Sequence, residues 1–202
     1  MSLVQTVATP RPTSGLKGMG RAALDRLSSG FAIAVNPGGL LKSELHNYPW
    51  PWTLGVSGFA FVLFFLQTGL DLHRAGQATP SKVLLLTLLG ALFGTVGVAL
   101  VSATAWILSY PFGRKLPLGW AVRAFGLAYS PALIYGIMGL FANLVWGWNT
   151  AVAFGVTGFL WALGPMLLTV SELTEDRLAP SYLIATLCGG LLLLGWGSLA
   201  LG

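Results

Sequence analysis

"VLLLTLLGALFGTVGVALVSATAWILSY", residues 83–110, runs for 28 residues without a Lys, Arg, Asp or Glu. About 20 apolar residues make a helix long enough to cross a hydrocarbon core of about 30 Å. This stretch therefore predicts a membrane-spanning helix, with length to spare for tilting or projecting beyond the membrane. Four similar runs, at about 52–70, 125–146, 150–173 and 181–201, predict four more spans. Composition agrees: 55% of the 202 residues are hydrophobic and 8% are charged, against about 25% charged in soluble domains. The expected fold is all-α, a polytopic integral membrane protein with five transmembrane helices in one bundle. "WGWN" (146–149) leaves so short a connection that spans three and four must be antiparallel neighbours.

Outside the spans the chain changes character. Residues 1–15, rich in Ser, Thr and Pro, read as a disordered tail. From Leu16 to Phe31 apolar residues recur at steps of three and four, while Lys17, Arg21 and Asp25 follow another side. That pattern predicts an amphipathic helix, lying in the headgroup layer or packed on a soluble partner. Asn36 and Pro37 cap and open a second short helix over 37–45. The whole of 16–49 is thus read as an interfacial segment, closed by "NYPWPW", whose Tyr48, Trp50 and Trp52 suit the membrane boundary. The first apolar run starts too late and is too long for a cleaved signal peptide, so it is expected to remain as the first span.

Charge placement orients the bundle. With the N-terminus inside, nine Lys and Arg fall in inner segments and two, Arg74 and Lys82, in outer ones. This positive-inside bias predicts a cytoplasmic N-terminus and an external C-terminus, the membrane being the plasma or inner one if the chain is prokaryotic. Arg114, Lys115 and Arg123 would form a basic inner face toward anionic lipid headgroups. The net charge of +5 flanks apolar runs and forms no face of a soluble domain, so nucleic acid is not an expected partner.

No catalytic constellation stands out. His46 and His73 fall on opposite sides of the membrane under this topology, and the single cysteine, Cys188, lies in the last apolar run without a histidine at its depth. An intramembrane hydrolase therefore lacks a base for its nucleophile, and neither a metal nor a cofactor is expected. Asp71 and Glu172 end spans one and four and read as solvated helix ends. Gly90, Gly94 and Gly97, with Ala99 and Ala103, form a small-residue surface on span two; Gly158 and Ala162, and Ala132, Gly136 and Gly139, repeat it elsewhere. Such residues let helix backbones approach closely, within one bundle or between copies of it.

"GLAYSP" (126–131) interrupts the third apolar run. Pro131 lacks an amide hydrogen and collides with the carbonyl four residues earlier, so the helix should kink or restart there. Tyr129 and Ser130 are placed to satisfy the backbone groups this frees. Pro165, after Gly164, is a second kink candidate.

"NPGGLLKSEL" (36–45), the Pro- and Trp-rich approach, five spans, the basic loop "GRKLPLGWAVRAFGLAYSP" (113–131) and the tight hairpin together resemble the Yip (Ypt/Rab-interacting protein) family over residues 30–201. "NYPWPW" stands where the eukaryotic branch carries an acidic signature, so the likeness is to the prokaryotic-type branch. The resemblance implies five spans and a cytoplasmic N-terminus and, for the eukaryotic branch, scaffolds of vesicle trafficking. The expected function is non-enzymatic, through helix packing and partner or lipid contacts. The competing expectation is a small-solute or ion transporter or channel subunit, with broken helices at Pro131 and Pro165 forming its site. A wet cavity lined by Tyr129, Asn143 or Thr157 would favour that alternative.

Overall fold

The computed structural model describes residue 45, residues 48–112 and residues 116–201, the last three by backbone alone. The expected tail, the amphipathic helix over 16–31, the short helix over 37–45 save for Leu45, and Arg114 and Lys115 of the basic face lie outside the described residues. Within them the protein is all-helical, and five helical stretches are long and apolar enough to cross a membrane: Trp50–Arg74, Pro80–Ser109, Leu118–Trp146, Ala151–Leu173 and Leu178–Ser198.

The first stretch is one helix, α1 (Trp50–Arg74), opened by Pro51 in its first turn, where a missing amide hydrogen costs nothing. It ends as Gly76 turns the chain at φ 73°, a conformation that glycine adopts without strain. Thr79 then caps α2 (Pro80–Leu92) by accepting from the Lys82 amide at 3.3 Å.

The second stretch changes pitch midway. A turn of π-helix over Phe93–Gly97 separates α2 from α3 (Val98–Ser109). The third divides into α4 (Leu118–Ala128) and α5 (Ser130–Trp146), with Tyr129 between them. The fourth opens with π-helix over Ala151–Val156 and continues as α6 (Thr157–Leu173). The last is α7 (Leu178–Leu201).

At the centre stands α1, which packs on parts of all four other stretches. Its contact with the second is intimate because that helix presents glycine. A Cβ on Gly90 would lie 2.7 Å from the Phe61 carbonyl oxygen, and one on Gly94 would lie 2.7 Å from the Ser57 carbonyl oxygen and 2.8 Å from Gly58 Cα. Gly97, expected on the same surface, does not join it: a Cβ there would meet only the ring of Phe93 in its own helix. Gly158 packs on α5, where a Cβ would lie 2.9 Å from Ala132 Cα.

Outward faces are apolar. Leu84, Leu88, Leu92, Leu100 and Ile107 on the second stretch, and Ile137, Phe141 and Leu144 on α5, are all exposed. Tyr48 departs from its expected place at a membrane boundary: it is buried with Leu45, Ala124 and Leu127, while Trp50 is exposed.

Candidate functional site

The stretch "GLAYSP" forms a break in the backbone. α4 stops at Ala128 and α5 starts at Ser130, with Pro131 in the first turn of the new helix. Ser130 behaves as its position suggests, donating from Oγ to the Leu127 carbonyl at 2.7 Å. Tyr129 does not: its hydroxyl is buried without a hydrogen-bond partner among the described residues. Its main-chain carbonyl, instead, accepts from the Leu133 amide at 3.0 Å. Pro165 produces no break, since α6 runs through it from Thr157 to Leu173 and Thr169 returns its hydroxyl to the Pro165 carbonyl at 2.9 Å.

The break meets other irregularities. Phe61, fully buried in the middle of α1, lies 5.4 Å from the ring of Phe93, the first residue of one π-turn, and 5.2 Å from Tyr129 at the break. It lies 4.8 Å from Phe159, just beyond the second π-turn. Phe64 extends the cluster to Phe159 at 4.9 Å and to Trp196 at 4.9 Å. Edge-to-face rings at such distances attract beyond the area they bury. The π-turn is also tied to α1 by Ser57, whose Oγ donates to the Gly94 carbonyl at 2.7 Å. This satisfies a backbone group in the interior, where an unpaired one is costly.

One turn toward the α1 C-terminus, Gln67 is fully buried and donates from Nε2 to the Gly136 carbonyl at 2.8 Å and to Leu63 at 3.1 Å. Its Oε1 has no partner among the described residues and lies where a side chain on Gly139 would stand. Flipping the amide would turn that oxygen onto two carbonyls, so the orientation is set by the donors.

The densest polar group lies at the end of α1, and sequence reasoning missed it. Asp71 is not a solvated helix end: its side chain is only 16% exposed. Oδ2 accepts from the Thr150 and Ala151 amides, each at 2.8 Å, and Oδ1 from Asn143 Nδ2 at 2.7 Å. The first two bonds cap the N-terminus of the fourth stretch, where unpaired amides and the helix dipole favour a negative charge.

Arg74, three residues on, serves the opposite helix end. Its Nη2 donates to the Asn143 carbonyl at 2.7 Å and to Asn143 Oδ1 at 2.5 Å, and its Nη1 to the Trp148 carbonyl at 2.9 Å. These are carbonyls at and beyond the C-terminus of α5, where a cation is favoured. Asn143 Nδ2 also reaches Thr150 Oγ1 at 3.1 Å, and Gly147 turns the hairpin at φ 69°. One i,i+3 acid–base pair on α1 thus caps both helices of the hairpin between spans three and four.

The signal was present in sequence. Opposite charges three apart end the first apolar run, on the side where the topology also places "WGWN". What could not be read was that the two approach within hydrogen-bond distance.

Of the expected basic face only Arg123 lies within the described residues, and among these its Nε, which is buried, has no partner. Asn143 is consumed by the clasp, and Thr157 donates to the Ala153 carbonyl at 2.6 Å. Tyr129 borders a small apolar space of about 30 Å³ with Phe159, Met166 and Leu192. Among the described residues no three His, Cys, Asp or Glu come together as metal ligands. His73 Nδ1 is engaged with the Ala78 carbonyl at 2.7 Å, and the Cys188 thiol is buried facing the Val101 carbonyl at 4.0 Å. Chemically, the polar groups of the clasp hold helices together. No family model, curated protein or solved structure matches this chain.

Proposed function

We propose that this chain is a non-enzymatic integral membrane protein that works through its packed surfaces, by contact with lipid and with partner proteins or further copies of itself. The observation that carries the proposal is the filled centre. Where the three irregular helices meet, the space is occupied by Phe61, Phe64, Phe93, Tyr129 and Phe159. The polar groups of Ser57, and of Asn143 and Thr150 at the clasp, are used on backbone and on one another, whereas the buried Tyr129 hydroxyl, Gln67 Oε1 and Trp196 Nε1, in three different stretches, have no partner among the described residues. A site for polar solutes would need convergent, available polar groups.

Five stretches of membrane-crossing length and apolar outward faces support insertion. The nine-to-two division of Lys and Arg supports an inner N-terminus. On that reading the face holding Arg114, Lys115 and Arg123 meets anionic headgroups, and the Yip-like pattern supplies the class of function, a membrane scaffold.

A second reading has one specific observation in its favour. Backbone irregularities in three stretches converge on Phe61, and such features mark the moving parts of transporters. Flux across sealed liposomes containing the purified protein, followed with ion- and pH-sensitive dyes beside a Pro131→Ala variant, separates the two. The scaffold reading expects no protein-dependent flux. Flux that changes in the variant would overturn it and make the Phe61 cluster a gate.

A further inference from the structure

Between α6 and α7 runs an apolar groove of about 380 Å³, bordered by Leu163 on one side and by Tyr182, Thr186, Gly189, Gly190 and Leu193 on the other. Its volume is that of a small-molecule pocket. We propose that it is a specific site for an ester-linked diacyl lipid, with the ester carbonyl at Thr186 and an acyl chain over the glycines. This rests on the reading above only in that the protein must be embedded in a bilayer.

Polarity along the groove decides the occupant. Positions 182, 186, 189, 190 and 193 share one face of α7. At 1.5 Å per residue Thr186 lies about 6 Å beyond Tyr182, and Leu193 about 17 Å beyond it. Exposed Tyr182, four residues into α7, carries the amphipathic ring favoured at a membrane boundary. The groove therefore passes from boundary aromatic to hydroxyl to bare hydrocarbon, the order of headgroup, ester and chain in a lipid.

Thr186 itself is distinctive. Thr87, Thr95, Thr104, Thr157 and Thr169 each return their hydroxyl to a carbonyl of the preceding turn. Among the described residues, no such bond is made by Thr186. Its hydroxyl is free to donate at the depth of an ester.

The floor is open where a chain would lie. A Cβ on Gly190 would meet nothing within 4 Å, and one on Gly189 only Leu163 Cδ2, at 3.1 Å. Leu163, Gly189 and Leu193 also border the narrow space that ends at Tyr129. That space of about 30 Å³ has room for the tip of a flexible chain.

Photolabelling of the full chain tests this. The chain is reconstituted in phosphatidylglycerol and phosphatidylethanolamine vesicles containing a tracer phospholipid with a diazirine in its acyl chain, in ester- and ether-linked forms. We expect adducts on Leu163, Thr186, Gly189, Gly190 and Leu193 to exceed those on the more exposed 84–100 face by about fivefold, with the ester form preferred by about fivefold, the value of one hydrogen bond. Gly190→Phe should remove the groove adducts and leave those on 84–100 unchanged. Thr186→Val, which needs no change of shape, should abolish the ester preference.

Uniform labelling of both faces, an ester preference that survives Thr186→Val, or cross-links to a second copy through the groove would each overturn the site alone. Absence of adducts on every face would overturn membrane insertion together with it.

Discussion

Two regions of this protein hold the same helices together by opposite means. At the end of α1, Asp71 and Arg74 clasp the hairpin between the third and fourth stretches through charged hydrogen bonds. In the middle of α1, Phe61 and Ser57 meet neighbouring helices through ring contacts, glycine and a single hydroxyl bond. The difference follows from where water is. A carboxylate and a guanidinium, 16% and 34% exposed, retain part of their hydration near a helix end. The same pair at mid-helix would cost far more. In the middle, close approach of backbones replaces charge, so fit decides strength.

This contrast predicts a ranking of substitutions. Gly94→Leu should be the most damaging, by about 3 kcal/mol or more, because its side chain must displace the α1 backbone at Ser57 and Gly58 and no flexible group can yield. Unchanged thermal stability and oligomer size in detergent would break the claim that fit governs the middle. Asp71→Ala should cost about 2 kcal/mol, since it leaves the Thr150 and Ala151 amides without their acceptor and takes from Asn143 the shortest of its three. Faster proteolysis around 147–150, with the rest of the chain still protected, would place that loss at the clasp. A cost equal to that of Gly94→Leu would erase the distinction between the regions.

Smaller effects sharpen the contrast by their sign. Tyr129→Phe removes a buried hydroxyl that makes no hydrogen bond among the described residues and should stabilise by about 1 kcal/mol. A destabilised variant in a thermal scan would show that the hydroxyl has a partner in the membrane. Gly97→Ala should gain about 0.5 kcal/mol, because the added methyl meets only Phe93 of its own helix, at 3.6 Å, and the backbone loses freedom in the unfolded chain. A loss as large as that at Gly94 would mean that Gly97 faces another helix after all.

Much of the architecture is legible from residues alone, for identifiable reasons. An uncharged run such as 83–110 has one stable form in hydrocarbon, a helix, because lipid offers no partner for a free amide or carbonyl. Pro131 marks the break between α4 and α5, because a missing amide hydrogen acts locally. Pro165 carries the same local signal, yet α6 runs through it. The π-turns at Phe93–Gly97 and Ala151–Val156 carry no comparable mark, since they depend on what the neighbouring helix presents. The candidate residues divide likewise: Gly90 and Gly94 pack on α1, whereas Gly97, three residues on, does not. Periodicity places a residue on a face, and the neighbouring helix determines whether that face is covered.

What the sequence determined by itself was the five helical stretches of membrane-crossing length among the described residues and the break in the third, because those follow from local hydrophobicity and from proline's missing donor. Only the tertiary structure decided that Asp71 and Arg74 cap two other helices, that the Tyr129 ring is buried against Phe61 and Phe159, and that the centre is filled by aromatic rings. Each of these depends on groups far apart in the chain, such as Asp71 and Thr150, meeting at about 3 Å. At that range a hydrogen bond depends on how the helices pack, a property of the assembled bundle and of no single segment.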